Sequence, residues 1–307
     1  MSAPVAKARV AVVVPARDAE KTLGACLDGL ACQDLGEPFA TIVVDNGSLD
    51  GTAAIAETHP LRPSVLRRPR GDGPGAARND GWRAAEGAEV IAFTDADCAP
   101  AAGWLRSGLA ADADVVQGRV APPEGARRGP FDRTLWVSGP SPLFETANLF
   151  VRRSWLERLG GFREIVAHDG RPFGEDVDLG WRAARAGART AYADDALVEH
   201  AVLSGDWLAE RRRDGLFCDL VREVPELRRE FLFLGVFLSR RSAALVLALA
   251  GLRRPVLALP YLVLLAEHSR ARVGVFSGRA ALRIIAGDLV GLASTVRGTL
   301  RSRTPVL

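Results

Sequence analysis

The sequence is short of several residue types, and each shortage narrows what the chain can be. Its 307 residues include four cysteines, one methionine and two tyrosines. The cysteines (Cys26, Cys32, Cys98 and Cys218) form no CxxC pair. That excludes the usual structural-zinc spacing and a disulfide-stapled secreted fold, leaving buried or idle thiols in a reducing compartment. Only two of the 40 basic residues are lysine, Lys7 and Lys21. The glycine stretch Gly73-Pro74-Gly75 carries no lysine and does not follow the first strand, so it is neither a Walker loop nor a dinucleotide fingerprint. No Ser–His or Cys–His nucleophile signature is present. No apolar run reaches the roughly 18–20 residues of a spanning helix. Lys7 and Arg9 precede an apolar run of only Val10–Val14, stopped by Pro15, so no secretory signal is expected. A net charge of +3 is too weak for a generic nucleic-acid binder.

Hydrophobic residues make up 48% of the chain and charged residues 25%, enough for a core and against global disorder. The charge is unevenly spread. Residues 1–200 hold 23 basic and 28 acidic side chains, net −5; residues 201–307 hold 17 and 9, net +8. Val10–Val14, Thr41–Val44, Val65–Leu66 and Val90–Phe93 read as buried strands, alternating with helices over Lys21–Leu30, Thr52–Glu57 and Gly75–Ala84. Such alternation predicts βαβ units and a mostly parallel sheet flanked by helices. Val115–Val116, Ala147–Val151, Thr190–Tyr192 and Ala196–Val198 add short strands. Ser154 caps a helix to Leu159, and Pro122–Gly139 reads as a mobile loop.

Three acidic motifs fall at the carboxyl ends of predicted strands, where open α/β sheets bind ligands. Asp45 follows the second strand in VVDNGSLDGT, either a turn residue or a ligand, with Asp50 better suited to cap the next helix. Asp95-Ala96-Asp97 follows Val90–Phe93. Two carboxylates one residue apart repel unless something positive lies between them, and a hard divalent cation, magnesium or manganese, answers that. Gly174-Glu175-Asp176-Val177-Asp178 opens a helix. The macrodipole accounts for one acid there, less readily for three, so at least one is a candidate general base. Arg78 is either a surface helix residue or a guanidinium over a nucleotide base or diphosphate. His200, in Val198-Glu199-His200, is structural or a metal ligand.

VVVPARDAEKTLGACLDGL, VVDNGSLDGT, GPGAARNDG, FTDADC, ETANLFVRRSWLERLGGF and GEDVDLGWR occur in that order. Over roughly residues 8–205 the chain resembles the family 2 inverting glycosyltransferases of GT-A fold. The resemblance implies a metal-assisted single displacement that moves a sugar, of hexosyl type, from a nucleotide-diphospho-sugar to a hydroxyl. Pro15 and Arg17 would line the base pocket, Asp45 would bond the base, and Arg78 would help hold the nucleotide. Asp95 would contact the ribose or metal side. Asp97, with His200, would bind manganese or magnesium, and Asp176 would be the general base.

A sugar nucleotidyltransferase, or an inactive sugar-nucleotide-binding membrane module, is the competing reading. The acceptor, a polysaccharide, lipid-linked or envelope glycan, is expected between Gly118 and Phe173, with Trp136, Glu145, Thr146 and Asn148 lining its cleft and Glu175 beside it. Residues 1–205 are expected to form the catalytic domain and 206–307 a helical region. In the latter, Phe231–Leu238, Ala243–Leu252 and Val256–Leu265 are apolar and punctuated by arginine pairs. That pattern suits helices lying in a membrane interface, which would make the protein peripheral on the cytoplasmic face of the cell membrane.

Overall fold

The computed structural model describes residues 8–69, 71–127, 129, 131–167 and 169–307. Lys7, and Arg128 and Pro130 of the Pro122–Gly139 loop, lie outside the described residues. The chain forms two compact units. One comprises residues up to Ala126 with Thr134–Ile165 and Gly174–Ala201; the other comprises Arg127–Arg133, Val166–Phe173 and Val202–Leu307.

The first unit opens as β1 (Val10–Ala16), α1 (Leu23–Ala31), β2 (Ala40–Asp45), α2 (Thr52–Thr58), β3 (Ser64–Arg67), α3 (Pro74–Ala84) and β4 (Val90–Phe93). It continues as β5 (Cys98–Pro100), α4 (Trp104–Ala110), β6 (Val115–Ala121), β7 (Leu149–Arg152), α5 (Arg153–Leu159), α6 (Glu175–Arg185) and β8 (Thr190–His200). The eight strands make one sheet in the order β3-β2-β1-β4-β7-β6-β8-β5. β1 pairs in parallel with β2 and β4, β2 with β3, and β6 with β8. The pairs β4–β7, β6–β7 and β5–β8 are antiparallel.

The unbroken apolar run Val10–Val14 of β1 is explained by burial on both faces. Val10, Val12 and Val14 join one core cluster with α1, while Ala11 and Val13 join the other with Trp82 of α3. The chain steps outward from β1 to β3, then returns to place β4 on the other side of β1. The carboxyl ends of β1 and β4 therefore form a topological switch point, the crevice where such sheets bind ligands.

Three local expectations are corrected. Thr190–Tyr192 and Ala196–Val198 belong to one strand, β8, whose register against β6 jumps from Gly118–Ala193 to Arg119–Leu197. Asp194 and Asp195 interrupt the apolar pattern there, so the sequence reads as two strands. Ser154 lies inside α5, whose N-cap is Arg152. Asp50 acts one residue before the cap position: its Oδ1 accepts from Thr52 N at 3.0 Å, and Gly51 is the N-cap.

The second unit is helical. It contains α7 (Trp207–Arg212), α8 (Leu216–Glu223), α9 (Leu227–Glu230), α10 (Arg240–Ala250), α11 (Leu259–Val273) and α12 (Gly278–Ser302). Ala244, Leu245, Tyr261, Leu265, Ala281 and Ile284 form one core cluster in it. Within it Arg241 donates to both oxygens of the buried Asp288 at 2.7 and 2.9 Å, and Tyr261 donates to the same carboxylate at 3.0 Å. A Cβ on Gly287 of α12 would stand 2.1 Å from the Trp207 ring, so only glycine admits that packing. Phe231–Leu238 is not a helix. It turns at Leu234 and Gly235, both at positive φ, and closes with a bridge between Phe233 and Phe237. Among the described residues, no helix is long and apolar enough to cross a membrane.

Candidate active site

The switch point collects most of the acidic motifs. Asp45 ends β2, is buried, and accepts from Ser48 N at 3.0 Å. The next residue, Asn46, donates to Gly73 O at 3.0 Å, while its Oδ1 is buried without a hydrogen-bond partner. Pro15 is the next-to-last residue of β1, and the half-exposed Arg17 follows the strand, its Nη1 3.4 Å from Gly71 O. These groups bring the ends of β1 and β2 to the glycine loop ahead of α3.

Arg78, on α3, is 4% exposed and joins two motifs that lie far apart in sequence. Its Nη2 donates to Asp95 at 2.8 Å and its Nη1 to Glu175 at 3.0 Å. Neither a surface position nor a guanidinium open to solvent describes it. Burying the guanidinium and the Glu175 carboxylate is tolerable only because the two are paired, with the partly exposed Asp95 as the second partner of Arg78, and this bridge holds the start of α6 against the end of β4.

The Glu175-Asp176-Val177-Asp178 acids are sorted by their partners. Asp178, 1% exposed, pairs with Arg163 and with Arg182 at 2.6 Å. Glu175 is taken up by Arg78 and is itself buried, which removes it from an acceptor-facing surface. Asp176 accepts one backbone hydrogen bond, from Val177 N at 2.9 Å, and has no cation partner among the described residues. Gly174, in the left-handed region at φ 79°, turns the chain so that the helix begins with these two acids. Asp176 keeps some solvent contact yet lies deep among protein atoms. Burial and the neighbouring Glu175 carboxylate push it up to about 8, against the opposing pull of Arg78.

Glu145 lies close enough to Asp176 to raise it further. Ser141 Oγ donates to Glu145 Oε1 at 2.8 Å, Oε2 is buried without a partner, and burial raises the carboxyl. Trp136 is 56% exposed. Thr146 is buried. Asn148 does not line a cleft. It is 1% exposed, accepts from Trp104 Nε1 at 2.8 Å, and donates to Arg119 O and Ala196 O at 2.8 and 2.7 Å. Those carbonyls flank the register jump between β6 and β8, so the amide repairs the sheet.

Asp97 and His200 meet because β5 pairs antiparallel with β8, and Asp97 O also accepts from Ala201 N at 2.8 Å. His200 Nε2 stands 3.5 Å from Asp97 Oδ2. Cys98 completes a group whose ligand atoms all lie within 4.8 Å of one another.

The family model described as Glycosyl transferase family 2 matches residues 11–159, and that described as Glycosyl transferase family group 2 matches residues 126–269. Together they span the whole site. The chain belongs to glycosyltransferase family 2. It is 32% identical over 231 residues to a pre-mycofactocin glycosyltransferase of Mycobacterium tuberculosis, a match covering 66% of this chain and 45% of that one. It is 30% identical over 207 residues to glycosyltransferase AglE of Haloferax volcanii, covering 62% and 66%. The chain thus spans less than half the length of the mycobacterial relative. Among solved structures, it shares its fold with a mannosyltransferase of Pyrobaculum calidifontis in complex with GDP-Man and Mn2+ (TM-score 0.54, 24% identity, covering 98% of this chain and 89% of that one). It also shares it with S. aureus TarS 1-349 in complex with UDP (TM-score 0.53, 19% identity, covering 97% and 92%). The sheet is accordingly of GT-A type.

The donor set at Asp97 and His200 suits a divalent cation. Asp97 supplies a hard oxygen, partly open to solvent, and the buried His200 an imidazole nitrogen. Burial holds the Cys98 thiol well above its ordinary range, so it stays protonated and hard ions have no reason to recruit it. Sequence reasoning missed Asn46 and Cys98, although both stand inside the motifs it used. It also missed Arg163 and Arg182, whose pairing with Asp178 no local spacing announces.

Proposed function

We propose that this chain transfers a hexosyl group from a nucleotide-diphospho-sugar to a hydroxyl of a glycan or lipid-linked acceptor, with inversion at the anomeric carbon. The observation that carries the reading is the Asp95–Arg78–Glu175 bridge. It fixes Asp176 beside the end of the strand that leads to Asp97, so a proton acceptor and a cation site share one crevice. Pro15, Arg17, Asp45 and Asn46 bind the nucleoside portion, and Asp95 its ribose or the metal side. Arg78 acts here as a positioning residue. Asp97 and His200 hold manganese or magnesium, which supplies neutralisation of charge on the departing diphosphate. Asp176 takes the proton of the acceptor hydroxyl as that oxygen attacks, and its raised affinity for protons makes it a stronger base than an ordinary aspartate. Trp136 and Glu145 face the acceptor. Residues 1–205 carry these roles.

The experiment is to incubate the protein with UDP- and GDP-linked sugars and manganese, with water as the slow acceptor. The expected product is the nucleoside diphosphate. Supplied instead with a nucleoside triphosphate and a sugar 1-phosphate, a nucleotidyltransferase would release pyrophosphate; binding of the sugar nucleotide without any product would identify an inactive module.

For residues 206–307 we propose attachment to the cytoplasmic face of the cell membrane. α11 turns Tyr261 and Leu265 inward, yet Leu259, Leu262 and Val263, at helical spacing, are more than half exposed. Leu252, 80% exposed, and Val256 extend the apolar surface between α10 and α11, and Arg253 and Arg254 stand exposed between them. A helix apolar on both faces has its outer face covered by something. From Phe231 onward there are 11 arginines and 2 acids, which matches anionic headgroups around an inserted apolar ridge. The protein should therefore sediment with anionic vesicles at low salt. Replacing Arg253 and Arg254 with serine should weaken this by about 2 kcal/mol, or roughly thirtyfold. Failure to bind such vesicles, with a second copy covering the face in solution, would refute it.

A further inference from the structure

Cys98 has no part in the reaction above, yet its position is unusual. It is the first residue of β5 and lies directly opposite His200 in the antiparallel pairing with β8. Directly paired residues put their side chains on the same face of a sheet. Asp97 precedes it, with Oδ1 3.8 Å from the Cys98 sulfur and Oδ2 3.5 Å from His200 Nε2. A carboxylate oxygen, a sulfur and an imidazole nitrogen are thus mutually within 4.8 Å.

We propose that Asp97, Cys98 and His200 form a three-ligand site for a thiophilic divalent ion (zinc, cobalt or cadmium), in which the Cys98 sulfur is a ligand that manganese and magnesium do not engage. The inference rests on reading Asp97 and His200 as a cation site, and extends it to a second class of metal. One sulfur, one nitrogen and one oxygen donor with a further position open is a set that borderline and soft ions accept. Binding exchanges the S–H bond for a sulfur–metal bond and releases the proton to solvent, and no electrons are transferred. A hard ion gains little from sulfur and leaves the thiol intact. The same crevice therefore treats two metal classes differently: hard ions through oxygen and nitrogen alone, thiophilic ions through all three donors.

The test uses the reduced full-length protein without nucleotide, titrated with cobalt(II). The expected result is a sulfur-to-cobalt charge-transfer absorption that saturates at one equivalent. It should vanish in Cys98→Ser and persist in Cys32→Ser, the exposed thiol. Zinc should displace the cobalt. Zinc affinity should fall by about tenfold or more in Cys98→Ser, because outer-shell partners alone are worth about 10–100-fold. His200→Ala, which keeps the thiol, should also lose the one-equivalent band, so a folding failure of the serine variant would not decide the matter. Stoichiometric cobalt binding without the band, or a band that survives in Cys98→Ser, overturns the proposal. Manganese-dependent nucleotide binding is measured separately. If it depends on Asp97 while no band forms, the soft-metal site falls and the glycosyltransferase reading stands.

Discussion

Asp176→Asn is expected to remove sugar transfer and spare nucleotide binding, whereas Asp97→Asn is expected to remove the metal-dependent part of nucleotide binding. Loss of a general base costs about 10²–10⁴ in rate, and asparagine cannot accept the acceptor proton. Calorimetry with UDP and GDP plus manganese, beside a transfer assay, separates the two effects. The wild-type pH profile carries the same information. Asp176 is raised to about 8, and a base works only when deprotonated. Activity should therefore climb with pH up to about 8, far above the limb of an ordinary aspartate. Stability runs the other way. The folded protein holds this proton more tightly than the unfolded chain does, so stabilisation present in acid is lost as pH rises from the ordinary carboxylate range through about 8. Asp176→Asn has no proton to lose, so its melting temperature should overtake that of wild type as pH rises across this window. Full activity in the variant would remove Asp176 from the mechanism.

Arg78→Met is expected to damage stability and chemistry together. It leaves Asp95 and the buried Glu175 facing each other without the cation that joins them at 2.8 and 3.0 Å. Removing one partner of a buried ion pair costs about 3–5 kcal/mol. At roughly 2–4 °C per kcal/mol for a domain of this size, the melting temperature should fall by about ten degrees. Arg78 also pulls the Asp176 carboxyl downward. Its removal should displace the activity limb of whatever folded protein remains toward still higher pH. Arg78→Lys restores charge but not the two-armed span, so it should recover the limb better than the melting temperature. An Arg78→Met variant that melts like wild type would show that the bridge does not hold α6 in place.

Much of the first unit is legible in the sequence because parallel strands buried on both faces leave continuous apolar runs. Val10–Val14 and Val90–Phe93 could hardly be anything else, and Asp95-Ala96-Asp97 marks the end of the second. What was hidden depends on contacts remote in sequence. Arg78 looks like one arginine among many until α3 brings it between Asp95 and Glu175. Asn148 has the polarity of a binding residue, and only the register jump between β6 and β8 shows that its amide satisfies backbone carbonyls. β5 is three residues long and too short to leave a periodic signal, yet it sets Cys98 opposite His200. In the second unit the longest helix, α12, passes unmarked because its glycines, Gly287, Gly291 and Gly298, weaken the helical pattern while permitting close packing on α7 and α8. Phe231–Leu238 misleads in the opposite sense: it is apolar enough for a helix, but Gly235 turns it.

The most direct test of a base-assisted single displacement is the configuration of the first product. With a nucleotide-diphospho-sugar, manganese and water, proton NMR follows the released sugar before its anomers equilibrate. A single displacement should release nucleoside diphosphate together with the anomer opposite to that of the donor. Release of the sugar with its donor configuration retained would contradict it.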